Sequence, residues 1–347
     1  MKTYEIIIKP ESGFGTPLKG DTIFGHFCWR IAYDSNLSKR GLEELLSLYH
    51  ATPFAVFSSA YPKIKDIYAL KMPSVPLSWL FNLPDNKYEN IKKRKELEAK
   101  CWMLIQKDRK YPSLVEYEYA DNTELLELAS NKLTGKTRKE VMRQMKSETY
   151  VASFNQSHNT INRLTGTTGE DNFAPFSVKQ QIFYPGTELS IFVGIDESMV
   201  TIDQIKTGLE RIGQTGFGKD ASTGLGRFTV CEDAEISLSE FGNDNPHACY
   251  TLSPSVPQKD TFINMFFSPF TRFGKHGDIL AKARNPFKNP VIMADEGAVL
   301  IPKSQEIFKK PYIGMAIPDV SRAELKTVVQ GYSLYVPVRY TGEKSDE

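Results

Sequence analysis

Residues 213–228 read GQTGFGKDASTGLGRF, and the setting of this stretch decides how the chain is built. Five glycines (Gly213, Gly216, Gly218, Gly224 and Gly226) fall within fourteen residues. The overall frequency of 23 in 347 would place about one there. Glycine admits positive φ and close backbone approach, and the amides between glycines can point at phosphate. Lys219 and Arg227 add charge, and Ser222 and Thr223 add hydroxyl donors. Residues 213–220 nearly match the Walker A pattern GxxxxGK[ST], but Asp220 stands where a hydroxyl must hold Mg²⁺. The stretch follows a predicted helix over 201–212, capped by Thr201 or Asp203, and opens a predicted strand over 227–232. A nucleotide P-loop needs the reverse order, strand before and helix after. No segment fits GxGxxG, so a dinucleotide fingerprint is absent. The plain alternative is a connector tightened by glycine turns.

Outward from that stretch, strands and helices alternate. Residues 4–9 form a predicted strand stopped by Pro10 and the turn Ser12-Gly13-Phe14-Gly15. A helix follows with Asp21 as N-cap, since Ile23, Phe24, Phe27, Cys28 and Ile31 recur at three- and four-residue spacing. A short helix near 42–49 and an apolar strand over 54–57 come next. Residues 61–172 break the pattern with prolines, a charged helix over 88–106 and a polar loop over 153–172, and read as a long insertion. Strands at 176–183 and 188–195 are expected to form a hairpin through Tyr184-Pro185-Gly186. The resulting order is the split β-α-β pattern of a ferredoxin-like fold, the architecture of RNA-recognition modules. Further strands at 248–252, 261–267, 291–300, 312–317 and 331–338, with a short helix near 321–328, suggest a degenerate second copy. The expectation is an α+β chain of two ferredoxin-like (RRM-like) domains, residues 1–237 and 238–347.

Lys and Arg total 43 against 42 Asp and Glu, so attraction to nucleic acid must be local. Residues 87–110 carry nine basic side chains against four acidic, 132–146 six against one, and 272–288 five against one. The first run reads as a solvated helix face. Four dispersed cysteines without metal-ligand spacing indicate neither zinc nor a disulfide framework. No cofactor is expected. No apolar run approaches a signal peptide or membrane span, which gives a cytoplasmic expectation.

Three blocks together resemble the RAMP superfamily of CRISPR effector subunits. They are PLKGDTIFGH at 17–26, HNTINR at 158–163 and GKDASTG at 218–224. Within the superfamily they are most similar to the type III-A (Csm complex) subunit that holds the 5′ handle of the guide RNA (crRNA). The blocks lie within residues 17–228, and the C-terminal portion agrees in length and strand content. The resemblance implies a non-catalytic subunit with two ferredoxin-like domains and a thumb-like insertion. Its implied partners are the crRNA 5′ handle, the large polymerase/cyclase-like subunit and an adjacent RAMP backbone subunit.

The expected RNA contacts follow from chemistry and these blocks together. His158, Asn159, Asn162 and Arg163 lie in the polar loop, where a guanidinium can fork onto phosphate and Asn can read a base edge. Lys19 precedes a helix N-terminus, where free amides attract phosphate. Gly216, Gly218, Lys219, Ser222, Thr223 and Arg227 form the glycine-rich loop. Arg272 and Lys275 flank Phe273 in a turn suited to stacking. His26 is counted among the expected RNA contacts as well, although its apolar neighbours on the first helix more often mark a core histidine. An alternative is a metal-independent crRNA-processing endoribonuclease using His26, which lacks a second histidine nearby in sequence. A pure protein scaffold is the other alternative.

Overall fold

The computed structural model describes residues 1–107, 109–130, 149–170 and 173–340, so the basic run 132–146 lies outside the described residues. The chain opens with β1 (Lys2–Pro10), α1 (Gly20–Tyr33), α2 (Leu42–Leu48) and β2 (Ala55–Ile64). Next come β3 (Ile67–Lys71), α3 (Lys87–Leu97), β4 (Trp102–Gln106), β5 (Glu118–Ala120), α4 (Asn122–Ser130) and β6 (Val151–His158). β7 (Phe176–Phe183), β8 (Glu188–Ile195), α5 (Ile202–Thr215) and β9 (Phe228–Glu235) follow. The remaining strands are β10 (Ala248–Thr251), β11 (Phe262–Phe266), β12 (Pro269–Arg272), β13 (Val291–Ala294), β14 (Val299–Pro302), β15 (Tyr312–Gly314) and β16 (Tyr332–Val338).

β1 is buried on both faces from Tyr4 to Ile8, while α1 buries Ile23, Phe24, Phe27 and Ile31. α5 begins at a capping box: Thr201 Oγ1 accepts from the Gln204 amide at 3.3 Å, and Gln204 Oε1 accepts from the Thr201 amide at 2.9 Å. The two helices touch closely because Gly208 has no side chain. A Cβ there would lie 2.4 Å from the Phe27 ring. The first sheet runs β5-β4-β3-β2-β8-β1-β9. Its last four strands, paired antiparallel, have the split β-α-β order with α1 and α5 as the two crossovers.

The second sheet runs β11-β14-β10-β16-β15, and its first four strands repeat that order antiparallel. Numbered first to fourth along the chain, each set of four runs second-third-first-fourth across its sheet. Among the described residues no α-helix follows α5. The first sheet takes the place of helices here. Phe192 of β8 meets Phe241 at 5.9 Å, and a Cβ on Gly194 would lie 3.0 Å from Leu334 of β16. Tyr250, Val299, Leu334 and Val336 therefore join Ile6, Phe57 and Phe192 in one core. Fully buried Gln330 stitches the layers: its amide donates to Phe57 O at 2.8 Å and accepts from Phe57 N at 2.9 Å, where the register of β2 shifts.

Several expectations change. The hairpin of 176–183 with 188–195 does not form, because β8 is buried between β1 and β2 and has no free edge. β7 pairs instead with β6 over eight residues as a separate ribbon, so 151–158 is strand and only the tip is loop. The charged helix stops at Leu97, and Trp102–Gln106 pairs with β3. The first part of the expected insertion thus widens the main sheet. Residues 291–300 split into two strands at Gly297, whose φ is +85°. The helix near 321–328 is absent; Ser321 Oγ accepts from the Ala323 and Glu324 amides in a turn, and the chain returns through an Ile317–Val329 bridge. Asp21 is not the N-cap: Lys19 holds that position without a side-chain bond.

Candidate nucleic-acid interface

The glycine-rich loop closes on the turn after β1. Gly216 ends α5 at φ +95°, and the Phe217 amide donates to Gly226 O at 2.9 Å. Gly218, at φ +75°, leaves no room for a Cβ, which would stand 2.4 Å from Thr16. The Lys219 amide donates to Thr16 Oγ1 at 2.9 Å, Gly226 N to Gly13 O at 2.8 Å and Arg227 N to Ser12 Oγ at 2.9 Å. The loop is therefore a laced pair of turns, with Lys219, Ser222 and Thr223 exposed on its rim and Arg227 half-buried. Neither Lys219 nor Arg227 forms an ion pair with a described side chain. The Thr223 hydroxyl donates to Asp220 O at 2.8 Å. Asp220 sits in the left-handed region at φ +61°, with Oδ2 buried and no hydrogen-bond partner among the described residues.

His26 supports the loop from below. Its Nε2 accepts from the Gly218 amide at 3.2 Å, and its ring lies on Phe217 at 4.6 Å between centroids. Burial, then the charges of Arg30 and Lys288, pushes its pKa down to about 4. The ring is neutral near pH 7 and its acceptor nitrogen is occupied, which is the arrangement of a positioning residue.

The ribbon carries a second group at its tip. His158 ends β6 and stacks on Phe176 at 5.3 Å and 11°, while Asn159 is exposed. Asn162 builds a tight turn: its Oδ1 accepts from Leu164 N at 2.9 Å, its amide donates to Thr167 O and its carbonyl accepts from Gly166 N. That turn presents Arg163 to solvent beside Leu164, which is 96% exposed. The ribbon reaches the glycine-rich side because Phe14 and Gln181 exchange backbone bonds of 2.8 and 2.9 Å.

Lys19 and Arg272 are engaged within the protein. Lys19 pairs with Asp295 and, at 2.8 Å, with Glu296, and its ammonium stands 4.4 Å from the Phe270 ring centre. Arg272 forks onto Asp21 at 2.6 and 2.8 Å and covers Phe270 from 4.7 Å. Lys275 is exposed over Phe287 at 5.6 Å. Thr16, Ser12 and Phe217, which shape the loop, escaped the sequence reading; the paired glycine turns at 13–15 and 216–226 are the signal that could have joined them.

Solved structures share this architecture. A Csm4 chain of the Csm3–Csm4 subcomplex from a type III-A CRISPR-Cas interference complex matches at TM-score 0.55 and 14% identity, over 97% of this chain and 99% of that one. The chain has the Csm4 fold. A chain of the Csm1–Csm4 cassette bound to pppApA gives TM-score 0.53 and 15% identity over 99% of this chain and 100% of that one. Another from that cassette bound to cA3 gives 0.54 and 15%, over 98% of each. By sequence, no family model and no curated protein matches the chain. The Csm4 fold thus extends over essentially the whole length, including the second sheet. Among the described residues no group of three or more His, Cys, Asp or Glu is placed to hold a metal, and no helix is long and apolar enough to cross a membrane.

Proposed function

We propose that this chain is a non-catalytic, cytoplasmic subunit of a type III-A CRISPR effector complex that binds the crRNA 5′ handle. In this reading it docks the large cyclase-like subunit and an adjacent RAMP backbone subunit in antiviral defence. The observation that carries it is the laced glycine-rich loop: its amides are spent within the fold, and it presents Lys219 and Arg227, which make no ion pair among the described residues, together with the Ser222 hydroxyl to a phosphodiester. The near-full-length Csm4 fold supports the assignment, because the solved neighbours are drawn from assemblies of Csm4 with Csm1 or Csm3. The two sheets are the two ferredoxin-like domains, 1–237 and 238–347, the second without an α-helix among its described residues, and the β6–β7 ribbon is the thumb carrying Arg163. His26 holds the loop in shape, which speaks against its use as a general base in an endoribonuclease.

The test is fluorescence anisotropy of the full chain, or its complex, with RNA carrying a repeat-derived 5′ tag. Binding weakens steeply with salt and the RNA stays intact. Replacing Arg163, Lys219 and Arg227 together by alanine lowers affinity at least about tenfold. Unchanged binding in that variant overturns the site assignment, and metal-independent cleavage lost in His26→Ala overturns the non-catalytic reading.

A further inference from the structure

The second half carries a basic and aromatic surface that the glycine-rich loop does not use. Residues 274–276 and 286–288 form a short ribbon: Lys288 N donates to Gly274 O at 2.8 Å, His276 N donates to Pro286 O at 2.9 Å, and Lys275 bridges Phe287. Cross-strand partners share a face, and so do residues two apart in one strand, so Phe273, Lys275 and Phe287 lie on one side. The rings are 76% and 62% exposed.

Diagonal neighbours in such a ribbon stand roughly 7–8 Å apart at Cβ. That is about twice the roughly 3.4 Å rise between stacked bases. The Lys275 ammonium stands 5.6 Å from the Phe287 ring centre, so the two exposed rings and the cation offer one surface to an unpaired base.

This surface adjoins the loop. Lys288 lies within electrostatic reach of His26, whose Nε2 holds the Gly218 amide, and burial lowers the pKa of Lys288. Gly277 packs toward α1, where a Cβ would stand 3.8 Å from the Trp29 indole nitrogen. The ion pair of Arg272 with Asp21 fixes the start of the ribbon to α1.

Resting on the RNA-binding reading above, we propose that Phe273 and Phe287, with Lys275 between them, form a base-stacking clamp for unpaired RNA leaving the glycine-rich loop. The charge pattern favours RNA over a protein partner. Lys275, Lys282 and Arg284 lie between the two rings in sequence and are exposed, whereas lysine is depleted from protein interface cores and unpaired bases stack on aromatic rings beside cations.

The experiment uses the full chain and single-stranded RNA with 2-aminopurine placed successively along the tag, read by anisotropy and by fluorescence quenching. One position is quenched on binding. Phe273→Leu and Phe287→Leu each weaken binding roughly tenfold and remove that quenching with the salt slope unchanged, while Phe287→Trp keeps both. Their exposed positions leave the fold intact, which thermal melting verifies.

Unchanged affinity and quenching in the double leucine variant, with binding still weakened by Lys219→Ala/Arg227→Ala, overturn the clamp and leave the proposed function standing. No RNA binding by the unaltered chain overturns both. Leucine variants that bind RNA normally but lose a protein subunit in co-purification assign the patch to that subunit instead and overturn the clamp.

Discussion

The two sheets share a strand order and differ in what covers them. The first lays α1 and α5 over one face of β9-β1-β8-β2; the second, β16-β10-β14-β11, has irregular chain where those helices would stand. The difference teaches that strand order does not require crossover helices when another layer buries the same face. Alternate residues of β10, β14 and β16 (Tyr250, Val299, Leu334, Val336) enter the shared core, and their neighbours Cys249, Leu300 and Tyr335 form a small cluster under Ile307 and Phe308. Helices are thus needed once, on the outer face of the first sheet.

The sharpest way to break this comparison is at the layer contact. Phe192 is 1% exposed and touches Tyr68 and Phe241, so Phe192→Ala costs about 4 kcal/mol. Denaturant unfolding of that variant remains a single transition for both halves. Two separated transitions would show that the sheets are independent. Gln330→Ala orphans the Phe57 amide and carbonyl at the β2 register shift and costs about 2 kcal/mol by the same measurement.

Acid weakens both halves through their buried histidines. The His26 pKa is held near 4 in the fold, below its ordinary 6.5. The unfolded chain therefore binds more protons between these values. Its contribution is complete above pH 6.5 and is lost as pH falls toward 4, at up to about 1.4 kcal/mol per pH unit. His247 and His276 in the second half are lowered too, by burial, and lose stability in the same direction. His26→Gln flattens only the His26 share of a stability–pH curve, and an unaltered slope would refute the neutral, loop-holding ring.

The smallest effects compare the two coverings directly. Thr201→Ala removes the α5 capping box and costs about 1 kcal/mol. Tyr335→Phe removes hydroxyl bonds to Ile307 O and Lys310 O at 3.2 and 2.8 Å, also about 1 kcal/mol. With one shared core, both lower the same melting temperature by similar amounts.

The sequence by itself determined what neighbouring residues can settle. The apolar run of β1 stopped by Pro10, the helical spacing of α1, a cap at Thr201 or Asp203 and the positive-φ glycines at 216–226 each follow from local geometry, and all were legible. The strand-rich second half was legible in outline, although the short helix expected near 321–328 is a turn. Only the tertiary structure decided which edges pair and which charges are already taken. β7 reads like half of a hairpin with β8, yet β8 spends both edges on β1 and β2. Lys19 reads like a phosphate ligand, yet Asp295 and Glu296 reach it from more than 270 residues away. Asp21 reads like a cap, yet Arg272 claims both its oxygens. A side chain's local pattern fixes where it stands; its partner is whichever complementary group the folded chain brings to that place.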